Sequence, residues 1–268
     1  MTRRLAACVA LIALVAGACG STTPVLTDPK EIVAQSVATL QTMKSFHLHA
    51  TASGTIKIDL LGTGNAIPVD LQGTTADADI DFANGKAKAS LSAQSLFLNA
   101  DLVYTGTDAY YKVSLLGAKY KKLALADLLN LIPGANLSAP SPLPSVVIPS
   151  VNPSAVAQSI RDSLGRLTVP PVRDPDEKIG DQDCYKVTIK LSQADVSTSG
   201  LNPALPSAGT APFTATVGVW VRKNDLRPAQ VTVAVDAGAS GNITLTIALS
   251  NIDAPVVISP PPADQVEP

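Results

Sequence analysis

The stretch FHLHATASGTIKID, residues 46–59, decides how this chain reads. Phe46, Leu48, Ala50, Ala52, Ile56 and Ile58 alternate with His47, His49, Thr51, Ser53, Thr55, Lys57 and Asp59, so apolar and polar sides separate at a period of two. That period marks an antiparallel strand with one covered face. Downstream the pattern returns: Ala76, Ala78, Ile80 and Phe82 oppose Asp77, Asp79 and Asp81. Ala87, Ala89, Leu91 and Ala93 then oppose Lys86, Lys88, Ser90 and Ser92. Ala109, Tyr111, Val113 and Leu115 form another inward set, after which Gly117-Ala118 turns the chain toward Tyr120 and Leu123.

Upstream, Thr27-Asp28-Pro29-Lys30-Glu31 supplies an N-cap, a proline at the first helical position and a capping-box glutamate. A helix is expected from near Asp28 to about Lys44, with Ile32, Val33, Ser36, Val37, Leu40 and Met43 on one stripe. Apolar residues cluster as a short helix around 127–132, and Pro133 ends it. The six prolines of residues 133–153 exclude helix and central strand and leave a long apolar flap. Asn152-Pro153 caps a second amphipathic helix through Val156, Ile160 and Leu164, stopping near Gly165. Past Pro170-Pro171 four more strands are expected. Their inward sets are Tyr185, Val187, Ile189 and Leu191; Phe213 to Val221 in alternation; Ala229, Val231, Val233 and Val235; and Ile243, Leu245, Ile247 and Leu249. About eight antiparallel strands, two main helices and no βαβ rhythm give an α+β fold with a strongly curved sheet wrapped across helices.

The N-terminus, MTRRLAACVALIALVAGAC, has two arginines, an apolar run from Leu5 and small residues set directly against Cys19. This is the pattern of a bacterial lipoprotein signal, in which Cys19 is acylated and becomes the mature N-terminus. Ala16-Gly17-Ala18 also fits ordinary secretory cleavage, which would release a soluble protein. The division expected is a signal over 1–18, a tether over 19–27, one domain over 28–256 with its flap at 133–153, and a loose tail over 257–268. Without residues 1–18 the chain has 18 basic and 22 acidic residues, which argues against a nucleic-acid partner. Cys184 is then the one cysteine left unmodified, so no intramolecular disulfide forms, and a small buried hydrophobe is its expected role.

Catalytic and metal chemistry are poorly provided for. His47 and His49 share the polar face of one strand, and no ligand of fixed spacing completes a metal site. Asp77, Asp79 and Asp81 share a face without a glycine-containing ligand loop, so Ca²⁺ is not expected. No cofactor and no enzymatic activity are expected. Aromatic residues make up 4% of the chain, and alanine and valine dominate the inward sets. Small residues on adjacent strands leave an apolar hollow unless helix and flap side chains fill it, and the residues alone fit both outcomes. Lys112, Lys119, Lys121 and Lys122 are candidates for an anionic headgroup, against a plain solvated role.

The chain also resembles the LppX/LprA/LprF/LprG family of mycobacterial lipoproteins. The resemblance runs through Cys19, the opening helix into Met43-Lys44-Ser45-Phe46-His47-Leu48, Gly54-Thr55-Ile56, Pro68 to Ala78, Ile179 to Val187, Phe213 to Val221 and Ile243 to Asn251. It implies a half-barrel related to the LolA/LolB carriers, with helices closing the concave side over an apolar cavity. It further implies a lipoprotein facing the periplasm or cell wall that binds and carries acylated lipids or glycolipids. The expected partners are a multi-acyl lipid, the plasma membrane through Cys19, and optionally a lipid transporter. Cavity-lining candidates are Val37, Leu40 and Ile160 from the helices, then Leu48, Ala50, Ala52 and Ile56 from the first strand. Ala78, Ile80, Ala89, Leu91, Ala93, Tyr111 and Val113 continue the lining. Val187, Ile189, Val217, Val219, Val231, Val233 and Leu245 complete it. The competing reading is an envelope interaction lipoprotein with a filled core and a protein partner.

Overall fold

The computed structural model describes residues 25–58, 66–123, 153–198 and 213–267. The expected helix at 127–132, nearly all of the flap, Cys8 and Cys19 lie outside them. Helix α1 (Pro29–Leu40) begins where the sequence places it, with the Asp28 carboxylate accepting from the Lys30 amide. It ends a turn earlier than expected because Gln41, Thr42 and Met43 donate to carbonyls three residues back, tightening the chain into the first strand.

The strands form one antiparallel twelve-stranded sheet: β1 (Ser45–Ile58), β2 (Ile67–Asp70), β3 (Thr74–Asp81), β4 (Lys86–Ala93), β5 (Leu98–Tyr104), β6 (Ala109–Val113), β7 (Lys121–Leu123), β8 (Val172–Ile179), β9 (Gln182–Ser192), β10 (Thr214–Arg222), β11 (Pro228–Asp236) and β12 (Gly241–Ser250). Their order is β7-β6-β5-β4-β3-β1-β12-β11-β10-β9-β8, with β2 also paired to β1. Helix α2 (Pro153–Gly165) packs on α1, and a short α3 (Gln193–Thr198) follows β9.

Register carries the apolar face across the whole sheet. One row runs Val187–Val219–Val231–Ile247–Ala50–Ala76–Leu91–Ala100–Val113, one residue from each of nine strands. Since side chains alternate between faces, every member of the row lies on the same side.

Several expectations are corrected. Four elements, β2, β5, β8 and α3, are present beyond those the sequence pattern predicts. Strand β8 is charged and contains Pro175, which an edge position tolerates at the irregularity between Asp174 and Glu177. Leu115 is not inward but 70% exposed in the β6–β7 connection, because the strand stops at Val113. Phe82 lies beyond β3, and Asp81 is buried rather than solvated, accepting from the Asn84 backbone and side-chain amides to close the β3–β4 turn. The tail is docked rather than loose. Tyr120 donates to the Gln265 carbonyl and accepts from the Glu267 amide, so the tail satisfies backbone groups beside the edge strand β7.

Candidate functional site

The two halves of the apolar face differ in what covers them. Over β9 and β10, Ile32 and Val33 of α1 pack with Tyr185, Val187, Ile189, Val219 and Val221 into a buried cluster. Val37, Ile160, Val217 and Val231 pack against it, so these candidates and Val187, Ile189 and Val219 belong to a filled core. Helix α2 is held to α1 by close contact of Ala157 with Ala34 and Ala38, and by the Arg161 guanidinium on Glu31 at 2.5 and 2.9 Å. Those bonds hold the Glu31 carboxyl below its ordinary value, and Glu31 faces a neighbouring helix instead of closing a capping box.

Over β3 to β6 the same face forms a hollow of about 270 Å³. Ala76, Ala78, Ala89, Leu91, Ala100, Leu102, Tyr111 and Val113 line it, with Asp77, Ser90 and Asp101 between them in the strands, and the atoms it exposes are apolar. No residue of the two helices is among its lining. Four of its eight apolar side chains are alanine, whereas the sheet face beneath the helices carries Tyr185, Val187, Ile189, Val219 and Val221. The sheet is therefore shallowest in bulk where no described element packs on it.

Of the expected lining, Ala78, Ala89, Leu91, Tyr111 and Val113 meet in this hollow. Leu48, Ala50 and Ala52 of β1, Ile80 and Ala93 flank it, and Val233 and Leu245 lie on the same face toward the filled half. Ile56 lies beyond it against Val69 of β2, and Leu40 is exposed at the end of α1. Ala100 and Leu102 were missed with β5. The alternation Leu98, Ala100, Leu102 against Asn99 and Asp101 was their signal, broken by Val103.

Over β1 and β3 the opposite face is polar and its histidines are paired with acids. His47 Nδ1 lies 2.8 Å from Asp79, and His49 Nδ1 lies 2.7 Å from Asp77. The other ring nitrogen of His47 is 3.6 Å from Asp77, so both of its nitrogens face acids and neither faces a nucleophile. Among the described residues no group of His, Cys, Asp and Glu forms a metal cluster. Lys112 pairs with Asp101 at 2.7 Å and Lys122 with Asp108 at 2.9 Å, whereas Lys121, across from Tyr111 on the apolar side, pairs with Glu267 at 3.6 Å. Cys184 is fully buried beside Trp220 and Ala229, and burial pushes its thiol up, as suits a core residue rather than a nucleophile. Among the described residues no helix is long and apolar enough to cross a membrane.

Compared with known proteins, the chain matches no family model and no curated relative. Among solved structures it is similar to LprF from Mycobacterium bovis, at 17% identity and a TM-score of 0.48, covering 87% of this chain and 96% of that one. The lipoprotein LppX from Mycobacterium tuberculosis is similar at 17% identity and 0.49, covering 87% and 100%. A LolA-superfamily protein, NE2245 from Nitrosomonas europaea, is similar at 12% and 0.25, covering 87% and 96%. LppX and LprF are members of the family that the sequence resembles.

Proposed function

We propose that this chain is an acyl-anchored envelope lipoprotein that binds the hydrocarbon chains of a multi-acyl lipid or glycolipid and carries it across the periplasmic space. The observation that carries this reading is the alanine-lined hollow on β3 to β6, apolar throughout and open among the described residues. Its volume lies just under the range of about 300–1,000 Å³ usual for ligand pockets, so it takes part of one acyl chain. Further hydrocarbon lies along the apolar rows toward β1 and β12. Each buried methylene contributes about 0.8 kcal/mol, so ten of them hold a chain by about 8 kcal/mol without a single polar contact. Cys19 is the anchor.

Native mass spectrometry of the protein purified from a lipid-rich host, with organic extraction of what travels with it, tests the proposal. A stoichiometric multi-acyl lipid is the expected result. A clean protein mass that stays unchanged after incubation with envelope lipids would contradict it. That outcome would favour the interaction-protein reading, which the filled half of the face beneath α1 supports.

A further inference from the structure

Two adjacent connections carry large apolar side chains into solvent. Leu96 and Phe97, between β4 and β5, are 45% and 84% exposed, and Leu115 and Leu116, between β6 and β7, are 70% and 60% exposed. The connections are tied together: Ser114 donates from its amide to the Asn99 carbonyl at 2.8 Å, and its hydroxyl accepts from the Asn99 amide and donates to the Phe97 carbonyl. Phe97 sits at a positive φ of 51°, which fixes the turn that displays it. Soluble proteins seldom leave four such side chains together without a use.

Position says what the use is. Residue Val25, where the described chain begins, lies beside Tyr185, Asp183 and Lys223, and the Leu26 amide donates to the Tyr185 hydroxyl. Following the register from Tyr185 through Val221, and from His47 through Asp79 to Lys88, this is the end of the sheet that holds the β3–β4 turn. The apolar connections are at the other end. The eight residues of β4 put about 25 Å between the two. Only five residues lie between Cys19 and Val25, six steps with a reach of at most about 22 Å. With Cys19 as the anchor, the apolar tip is therefore at the end of the sheet farther from the attachment. It also lies at the rim of the hollow: Val113 lines the hollow and Ser114-Leu115-Leu116 follow directly.

We infer that Leu96, Phe97, Leu115 and Leu116 form a tip that enters a second lipid surface, through which the hollow exchanges its cargo. The inference rests on the lipid-carrier reading and on the anchor at Cys19. The residues of the two connections, 94–97 and 114–119, carry one charge, the exposed Lys119, which suits anionic headgroups.

The test uses the full chain, processed in a host that acylates lipoproteins and reconstituted into phosphatidylcholine donor vesicles. Capture of protein-free, fluorescent acceptor vesicles of phosphatidylcholine and phosphatidylglycerol is measured. The wild type is expected to capture them, Phe97→Ser with Leu115→Ser to capture about tenfold fewer, and Val257→Ser, which removes an exposed apolar side chain elsewhere, to match the wild type. Equal capture by the tip variant, an equal loss in Val257→Ser, or capture that requires envelope proteins on the acceptor would overturn the tip. Extraction of the same preparations separates the two readings: absence of lipid from the wild type removes the carrier, whereas a tip variant that keeps its lipid and loses capture establishes the tip. If the mature N-terminus proves unacylated the anchor reading falls, and flotation of the released protein with acceptor vesicles decides the tip by the same variants.

Discussion

Gly54 and Gly241 stand on neighbouring strands where backbone meets backbone. A Cβ on Gly54 would overlap the Asn242 carbonyl, and one on Gly241 the Thr55 carbonyl, and both residues hold positive φ, +104° and +118°. Replacing either by alanine adds overlap to a strained conformation, which costs about 1–3 kcal/mol by itself. Thermal unfolding is therefore expected to fall by several degrees in Gly54→Ala and Gly241→Ala, at about 2–4 °C per kcal/mol. Gly180→Ala has open space at φ +57° and is expected to lose less. Equal losses at all three would show that φ alone matters. Asp195 offers a second test. The Ser192 hydroxyl, the Thr168 amide, the Ser192 amide and the Thr168 hydroxyl all donate to it, and they hold its carboxyl well below the usual carboxylate range. A depressed folded-state value stabilises the fold above the unfolded pKa of about 3.9, and that stabilisation is lost as pH falls below it. Asp195→Asn should melt lower than wild type at pH 7, with the gap closing below about pH 4; a gap constant with pH would contradict the assignment. None of this was legible beforehand, because Asp195 meets Thr168 across a gap of 27 residues that no local pattern encodes.

At the scale of elements, legibility followed periodicity. Strands β1, β3, β4 and β9 to β12 announce themselves by alternation, and α1 by its cap and proline. Strand β5 was hidden because Val103 breaks its alternation, and β8 because Arg173-Asp174-Pro175-Asp176-Glu177-Lys178 reads as a loop. An edge strand needs fewer apolar residues and tolerates proline at an irregularity. The α1–α2 contact was half visible: the stripes were readable, the partner was not. Ala34 and Ala157 are 0% and 3% exposed, and their small size sets how closely the helices approach. Ala157→Leu is expected to cost about 1–3 kcal/mol by forcing them apart. Denaturant unfolding followed through Trp220, the sole tryptophan, measures it. No change in midpoint would mean that α2 is not closely packed on α1.

Among the described residues the strands form one sheet whose apolar face is divided by bulk. Valine and isoleucine meet α1 and its companion helix over β9 and β10, while alanine rows over β3 to β6 leave the hollow. From sequence the face was readable and the division was not, since covering depends on where helices land rather than on strand pattern. The division also separates two of the expected lining positions, Val217 and Ala89. Val217→Trp would overpack the filled core and test stability, whereas Ala89→Trp would fill the hollow. The most direct measurement is therefore lipid occupancy of wild type and Ala89→Trp by native mass spectrometry, alongside their melting temperatures. The account predicts a lipid-bound wild type and an Ala89→Trp protein that melts within a few degrees of it but has lost most of its lipid. Unchanged occupancy in Ala89→Trp would contradict it and move the lipid away from this hollow.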